Sequence, residues 1–416
     1  MVKTTARRPS AHRFSTGYSF LRLFYEANVD APHNPLHGHV VGVTRVNEHA
    51  IARAADSRRY AVLTEGLLLG RQGKTAHGVL RFRGADVAAV VDSTLAGRRV
   101  DEILPALGSD APIVASVEEA LAYRPTSLLV GVATDGGRIP ATLRAPIVAA
   151  AQAGLEIVSG LHELLRDDPE IAAAAARSGA RLWDVRIPPR DIPVFSGAAY
   201  DVAADVVLAV GSDCAVGKMT AMLEIERAAR GAGVRAEFLA TGQTGIMIAG
   251  SGIAVDRVIA DFVTGAAEQL VVGARRDSEV LLVEGQGAVF HPAYAPVTFG
   301  LLYGSAPDVL VLCHRPQTAH IGGFRTLIPT LSELVREHEA IVARMKPARV
   351  AAIVLDTSAF DDAAAAAVLA ATARETGLPV DDPVRNGGTA VWQAIARALI
   401  TTEKAARRAA PVSAPA

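Results

Sequence analysis

Short apolar runs recur along this chain in two series. The first comprises YAVLTEG (60–66), ADVAAVVD (85–92), APIVAS (111–116), SLLVGVA (127–133), LEIVSG (155–160) and RLWDVR (181–186). The second comprises VVLAVG (206–211), AEFLATG (236–242), EVLLVEG (279–285), DVLVLCH (308–314) and VAAIVLD (350–356). These runs are rich in β-branched residues and apolar on both faces, the pattern of strands buried in a parallel sheet. Ala-rich stretches with helical spacing separate them, such as TAMLEIERAARGAG and AAAAAVLAATARETG. Strand–helix alternation predicts an α/β protein whose parallel sheets are covered on both faces. The proline-bearing stretch IPPRDIPVFSGAA (187–199) divides the series. The expected organisation is an extension over 1–58, a first domain over 59–190, a second over 191–405 and a disordered, Pro-rich tail over 406–416.

Composition agrees with a soluble globular protein. Of 416 residues, half are hydrophobic and a fifth charged, enough for two well-filled cores. A net charge of −1 argues against a broad nucleic-acid surface. Two cysteines, Cys214 and Cys313, make no disulfide framework and fit a reducing compartment. Arg7 and Arg8 precede no apolar signal core, and no run has the length of a membrane span. The expectation is a cytoplasmic protein without membrane or nucleic-acid partners.

The stretch GSDCAVGKMT (211–220) carries the clearest chemistry. It lies between the strand VVLAV and a good helix, where backbone N–H groups and the helix N-terminus favour an anion. Glycines at 211 and 217 permit the turn, and Lys218 supplies a point charge in a chain with only five lysines. Ser212, Asp213, Cys214, Ala215, Val216, Gly217, Lys218, Met219 and Thr220 form the candidate cofactor-binding loop. Five residues separate the two glycines, one more than usual. Met219 stands where a magnesium-binding hydroxyl belongs, and Thr220 is about 100° further round the helix. The loop thus keeps a phosphate cradle and weakens its metal half. That favours a phosphate that is held rather than hydrolysed, such as those of coenzyme A.

The long loop is similar to that of dethiobiotin synthetase and its relatives. These also place Glu-Gly at the end of a later strand, as VLLVEGQG (280–287) does here. The ordered set GSDCAVGKMT, ATGQTGIMIAGSGIAVD (240–256), VEGQGAVFHP (283–292) and CHRPQTAHIGG (313–323) resembles a bacterial two-domain family long of unknown function. The resemblance spans about residues 58–403. It implies an N-terminal Rossmann-like domain followed by a P-loop NTPase-like domain with a mainly parallel sheet. That family includes a D-glutamate N-acetyltransferase using acetyl-CoA. The implied activity is acetyl transfer from acetyl-CoA to the amine of a small amino acid. Such a protein is expected to form a homodimer or higher homo-oligomer.

Acyl transfer needs a base for the substrate ammonium. Glu284, closing an apolar strand, and His291 are the candidates. Thr241, Gln243 and Thr244 of TGQTG follow a strand at the sheet edge where α/β proteins bind ligands, and are candidate substrate contacts. Arg315 and Arg325, in the loop after DVLVLCH, are candidate carboxylate contacts. Cys214, near a helix N-terminus, offers an acyl-cysteine route through a lowered thiol pKa. No His, Cys and Glu grouping has metal-ligand spacing, so no structural zinc is expected. The segment TEGLLLGRQGKTAHG (64–78) reads as running on from the first strand, with Lys74 and His77 able to meet the second domain's site. No GxGxxG fingerprint points to NAD. The competing readings are a Mg-ATP-dependent activating enzyme, with Asp213, Thr220 and Glu284 as metal ligands, and a non-catalytic nucleotide- or CoA-binding module.

Overall fold

A computed structural model describes residues 58–402 and 404. Apart from Arg58, the expected extension lies outside these residues, as does the tail. Two six-stranded sheets, both parallel throughout, account for all the apolar runs.

The first sheet comprises β1 Tyr60–Leu63, β2 Val87–Val91, β3 Ile113–Val114, β4 Ser127–Val130, β5 Glu156–Ser159 and β6 Leu182–Asp184. Their order, β3-β2-β1-β4-β5-β6, is the doubly wound Rossmann arrangement. The second comprises β7 Asp205–Gly211, β8 Ala236–Leu239, β9 Val280–Val283, β10 Val309–His314, β11 Arg349–Leu355 and β12 Val380–Asp381, in the order β12-β11-β10-β7-β9-β8. β1, β2, β4, β7, β8 and β9 are buried along their whole length, which is why alternation is missing from their sequences.

The segment after β1 differs from its expected reading. The strand ends at Leu63, and a helix, Lys74–Arg83, follows a short turn. Glycines at 70, 73 and 78 obscure the helical pattern in the sequence. Gly78 is small because this helix packs on the second domain: a Cβ there would stand 2.8 Å from the Thr244 methyl and 3.4 Å from Met219 Cε. Thr75 and Thr244 share a buried hydroxyl contact at 3.1 Å. Arg81 donates to the buried Glu224 on the helix Lys218–Gly231, at 2.8 and 2.7 Å. One apolar cluster runs through this seam, from Val62, Val79 and Leu80 to Met222, Ile246 and Met247. The domains therefore present the carboxyl ends of their strands around a shared, well-packed boundary.

Candidate active site

β7 enters the phosphate loop at Gly211, and the helix Lys218–Gly231 leaves it. Gly217, at φ 89°, makes the left-handed turn into the helix, a conformation that only glycine adopts freely. Lys218 folds back over the loop and donates to the Asp213 carbonyl at 2.7 Å and the Gly287 carbonyl at 2.8 Å. Burial lowers its pKa. Its charge rests on two carbonyl dipoles, and a bound anion is the group that would complete its shell.

The rest of the loop is tied down by its neighbours. Ser212 Oγ meets His314 Nδ1 at 2.8 Å. Burial pushes that imidazole down to about 4, so it stays neutral at ordinary pH. Asp213 accepts from the Cys214 N–H at 2.6 Å and the Gly322 N–H at 2.7 Å. The second of these bonds links the loop to the segment after β10. Met219 faces the first domain and packs on the core there. The missing hydroxyl is thus replaced by a contact across the seam.

Cys214 departs from the sequence-based expectation. Burial is the largest influence on its thiol and pushes its pKa up. A neutral thiol is a poor nucleophile, which argues against the acyl-cysteine route. The fold also gathers ligand-type atoms of Asp213, Cys214 and His291 within 4.8 Å of one another, a grouping that residue spacing could not reveal. His291 Nδ1, however, accepts the N–H groups of Ala293 at 3.1 Å and Tyr294 at 3.2 Å. Nε2 therefore carries the proton and lies 3.8 Å from Asp213 Oδ1. In that tautomer the ring has no lone pair left for a metal or for a substrate proton.

Glu284 directly follows β9 and is buried. One carboxyl oxygen accepts the N–H groups of Thr241 at 2.8 Å and Gly242 at 2.9 Å. A Cβ at Gly245 would collide with that same oxygen, so glycine there makes room for the carboxylate. Desolvation pushes its pKa up to about 7, against the two N–H donors, and neighbouring Asp256 adds to the rise. A carboxylate titrating near neutrality suits proton transfer.

Four candidate substrate contacts have other partners or neighbours. Thr241 donates its hydroxyl to the Glu284 carbonyl at 2.9 Å and so positions the carboxylate. Thr244 is engaged with Thr75, and Gln243 packs against Gly160 of the first domain. Arg315 is paired with Asp356 at 2.9 Å. Arg325 is exposed on the loop after β10. Thr244 and Gln243 are part of the seam, because the first domain occupies the space next to TGQTG.

The first domain supplies one group that spacing did not indicate, Arg186, and one that it did, Lys74. Arg186, just beyond β6, is buried. It donates to the Gly160 carbonyl at 2.6 Å and to Asp256. Lys74, at the start of its helix, lies within electrostatic reach of Arg186, Arg71 and Cys214. Solvent still reaches it, yet desolvation by the surrounding protein and then Arg186 lower its pKa. His77, the other residue proposed from this segment, is instead bonded through Nε2 to the Leu68 carbonyl at 2.6 Å.

A phosphate loop, a buried carboxylate tuned near neutrality and cations from a Rossmann-like partner define a two-domain α/β protein of the P-loop class. The chain belongs to the DUF1611 family: residues 193–392 match its P-loop domain and 93–188 its Rossmann-like domain, each described as a domain of unknown function. A crystal structure of a DUF1611 family protein from Anabaena variabilis is 40% identical, with a TM-score of 0.77 over 82% of this chain and 99% of that one. A D-glutamate N-acetyltransferase from Tritonibacter scottomollicae is 38% identical over 296 residues, 70% of this chain and 88% of that protein. A second, from Pseudoalteromonas, is 35% identical over 274 residues, 65% and 82% of the two chains. No helix among the described residues is long and apolar enough to cross a membrane.

Proposed function

We propose that this protein is an N-acetyltransferase that moves an acetyl group from acetyl-CoA to the amine of D-glutamate or a closely similar small amino acid. The observation that carries the reading is the pairing of a metal-poor phosphate loop with Glu284. Lys218 and the loop N–H groups suit the phosphates of coenzyme A. Met219 is committed to the domain seam, which removes the hydroxyl that magnesium-dependent hydrolysis would use. The names of the two relatives supply the acyl group and the amine.

In this reading Glu284 is the base. Its pKa of about 7 leaves a useful fraction ionised at neutral pH, whereas the Nδ1 of His291 is taken up by two backbone N–H groups. Glu284 takes a proton from the substrate ammonium. The freed amine attacks the thioester carbonyl carbon, the new C–N bond forms, the C–S bond breaks, and the second proton that the nitrogen gives up passes to the departing sulfur, so that CoA leaves as the thiol while Glu284 returns the first proton to solvent. Lys74 supplies a cation for the carboxylates of such a substrate.

The test is calorimetry with acetyl-CoA and with Mg-ATP on wild type and Lys218→Ala, followed by CoA-thiol release with D-glutamate. Binding of acetyl-CoA that is indifferent to magnesium, lost in the variant and followed by thiol release supports the reading. Tight Mg-ATP binding without acetyl-CoA binding would return the loop to the ATP-dependent enzymes. Acetyl-CoA binding without turnover on any amine would leave a binding module.

A further inference from the structure

We propose that Asp256 receives the ammonium group of the amine substrate, between the two domains, with Arg186 of the first domain holding it in place. This assignment rests on the acyl-transfer reading and gives the amine a position within it.

Asp256 lies in the short turn Val255–Arg257, well beyond TGQTG in sequence. Two backbone bonds return that segment to the end of β8: Ile253 N–H to the Ala240 carbonyl at 3.2 Å, and Val255 N–H to the Thr241 carbonyl at 3.1 Å. Thr241 is also the residue whose N–H holds Glu284. The two carboxylates are thereby placed close enough for Asp256 to raise the Glu284 pKa.

The two oxygens of Asp256 are treated differently. Oδ2 accepts from Arg186, and His162 Nε2 stands 3.7 Å from it. Oδ1 is buried and has no hydrogen-bond partner. An orphaned carboxylate oxygen is costly, and its natural complement is a charged N–H donor. Charge points the same way. Arg186 neutralises one carboxylate, so ionised Glu284 leaves the trio one negative charge in excess. A primary ammonium supplies one positive charge and three donors, enough for Oδ1 and for Glu284. When its proton passes to Glu284, the trio becomes neutral and the amine loses its charge together with its base. A divalent metal would leave an excess of positive charge beside the Arg186 guanidinium.

The experiment uses the full chain and Asp256→Asn, which keeps an oxygen for Arg186 and places an NH₂ group where Oδ1 stood. Direct binding of D-glutamate is measured by calorimetry, with glutarate as the probe lacking the ammonium. The expected result is a loss of roughly 10- to 100-fold in D-glutamate affinity, little change for glutarate, and unchanged acetyl-CoA binding. The pH–rate profile gives a readout that a purely structural residue would not move. Arg186, His162 and Arg257 surround Asp256, while Lys218 and Asp256 act on Glu284. Removing the negative neighbour lowers the Glu284 pKa, so the acid limb shifts to lower pH. Asp256→Ser serves the same comparison should the Asn variant not fold. Acetyl transfer in wild type with unaltered D-glutamate affinity and pH profile in the variants overturns the assignment and leaves the acyl-transfer reading standing. Absence of acetyl transfer in wild type, with D-glutamate binding that the variants weaken, overturns acyl transfer and keeps the amine site.

Discussion

Met219 lies against Gly78 across the domain boundary, so that a Cβ on Gly78 would stand 3.4 Å from the methionine methyl. The two residues explain each other. A phosphate-loop helix that docks another domain along this face uses position 219 for packing rather than for a hydroxyl. The facing helix, in turn, must stay bare to receive the methionine.

Gly78→Val tests that boundary. Its Cβ would stand 2.8 Å from the Thr244 methyl with two further methyls behind it, overpacking a buried seam. The helix gains a few tenths of a kcal/mol in propensity, but the crowding costs about 1–3 kcal/mol. Denaturant unfolding should show a lower midpoint. Turnover should fall as well, because Lys74 rides on the same helix.

Lys218→Arg should not rescue Lys218→Ala. The lysine tip sits between two carbonyls, and even a Cβ on Gly211 would come within 2.9 Å of it. A planar guanidinium does not fit that space. Acetyl-CoA affinity measured by calorimetry should fall by roughly 100-fold in both variants.

Glu284→Gln should lower kcat by about 10²- to 10⁴-fold with little change in acetyl-CoA binding. Its stability carries a sign that can be checked. The folded pKa of about 7 lies above the unfolded carboxyl value, so the protonated form is favoured in the fold. That contribution is fully present below about pH 4.3 and is lost as pH rises through about 7, on the order of 3 kcal/mol in all. Denaturant midpoints should therefore show the glutamine variant gaining on wild type between pH 5 and pH 8.

His338→Leu tests the opposite sign. This histidine is fully buried on the helix Leu331–Val342; its Nδ1 meets the Leu334 carbonyl at 2.7 Å, and its Nε2 has no partner. Burial pushes its pKa down to about 4, so the stability of the neutral form is present above about pH 6.5 and lost as pH falls toward 4. The leucine variant should be near wild type at pH 7 and about 2 kcal/mol more stable at pH 5. His314 has the same sign and leaves some acid sensitivity behind.

Both sheets were legible because a strand buried on two faces leaves an unbroken apolar run, and the phosphate loop because its glycines, lysine and flanking elements are contiguous. β12 was too short to register among the runs, with only Val380 and Asp381. The helix Lys74–Arg83 was hidden because its glycine serves a partner that is distant in sequence. Glu284 stood out as a charge ending an apolar strand. Asp256 and Arg186 did not, since they are 70 residues apart and nothing local marks either of them. Thr244 and Gln243 were read as sheet-edge residues and Arg315 as a loop residue after β10, but sequence could not show that other residues already occupy their polar or packing surfaces. The Asp213, Cys214 and His291 grouping was invisible for the same reason.

Arg186 lies just beyond the last strand of the Rossmann-like sheet, and it reaches across to the other domain's carboxylate. In the proposed reading, the cradle for the donor's phosphates and the first-domain cations near the acceptor are encoded in separate stretches of the gene. On that reading, drift in the first half would retune which amine is accepted while the phosphate loop, Glu284 and Asp256 stay fixed. Relatives with matching phosphate loops but altered residues at 74 and 186 would then be expected to acetylate different amines, and exchanging first domains between them should exchange that preference.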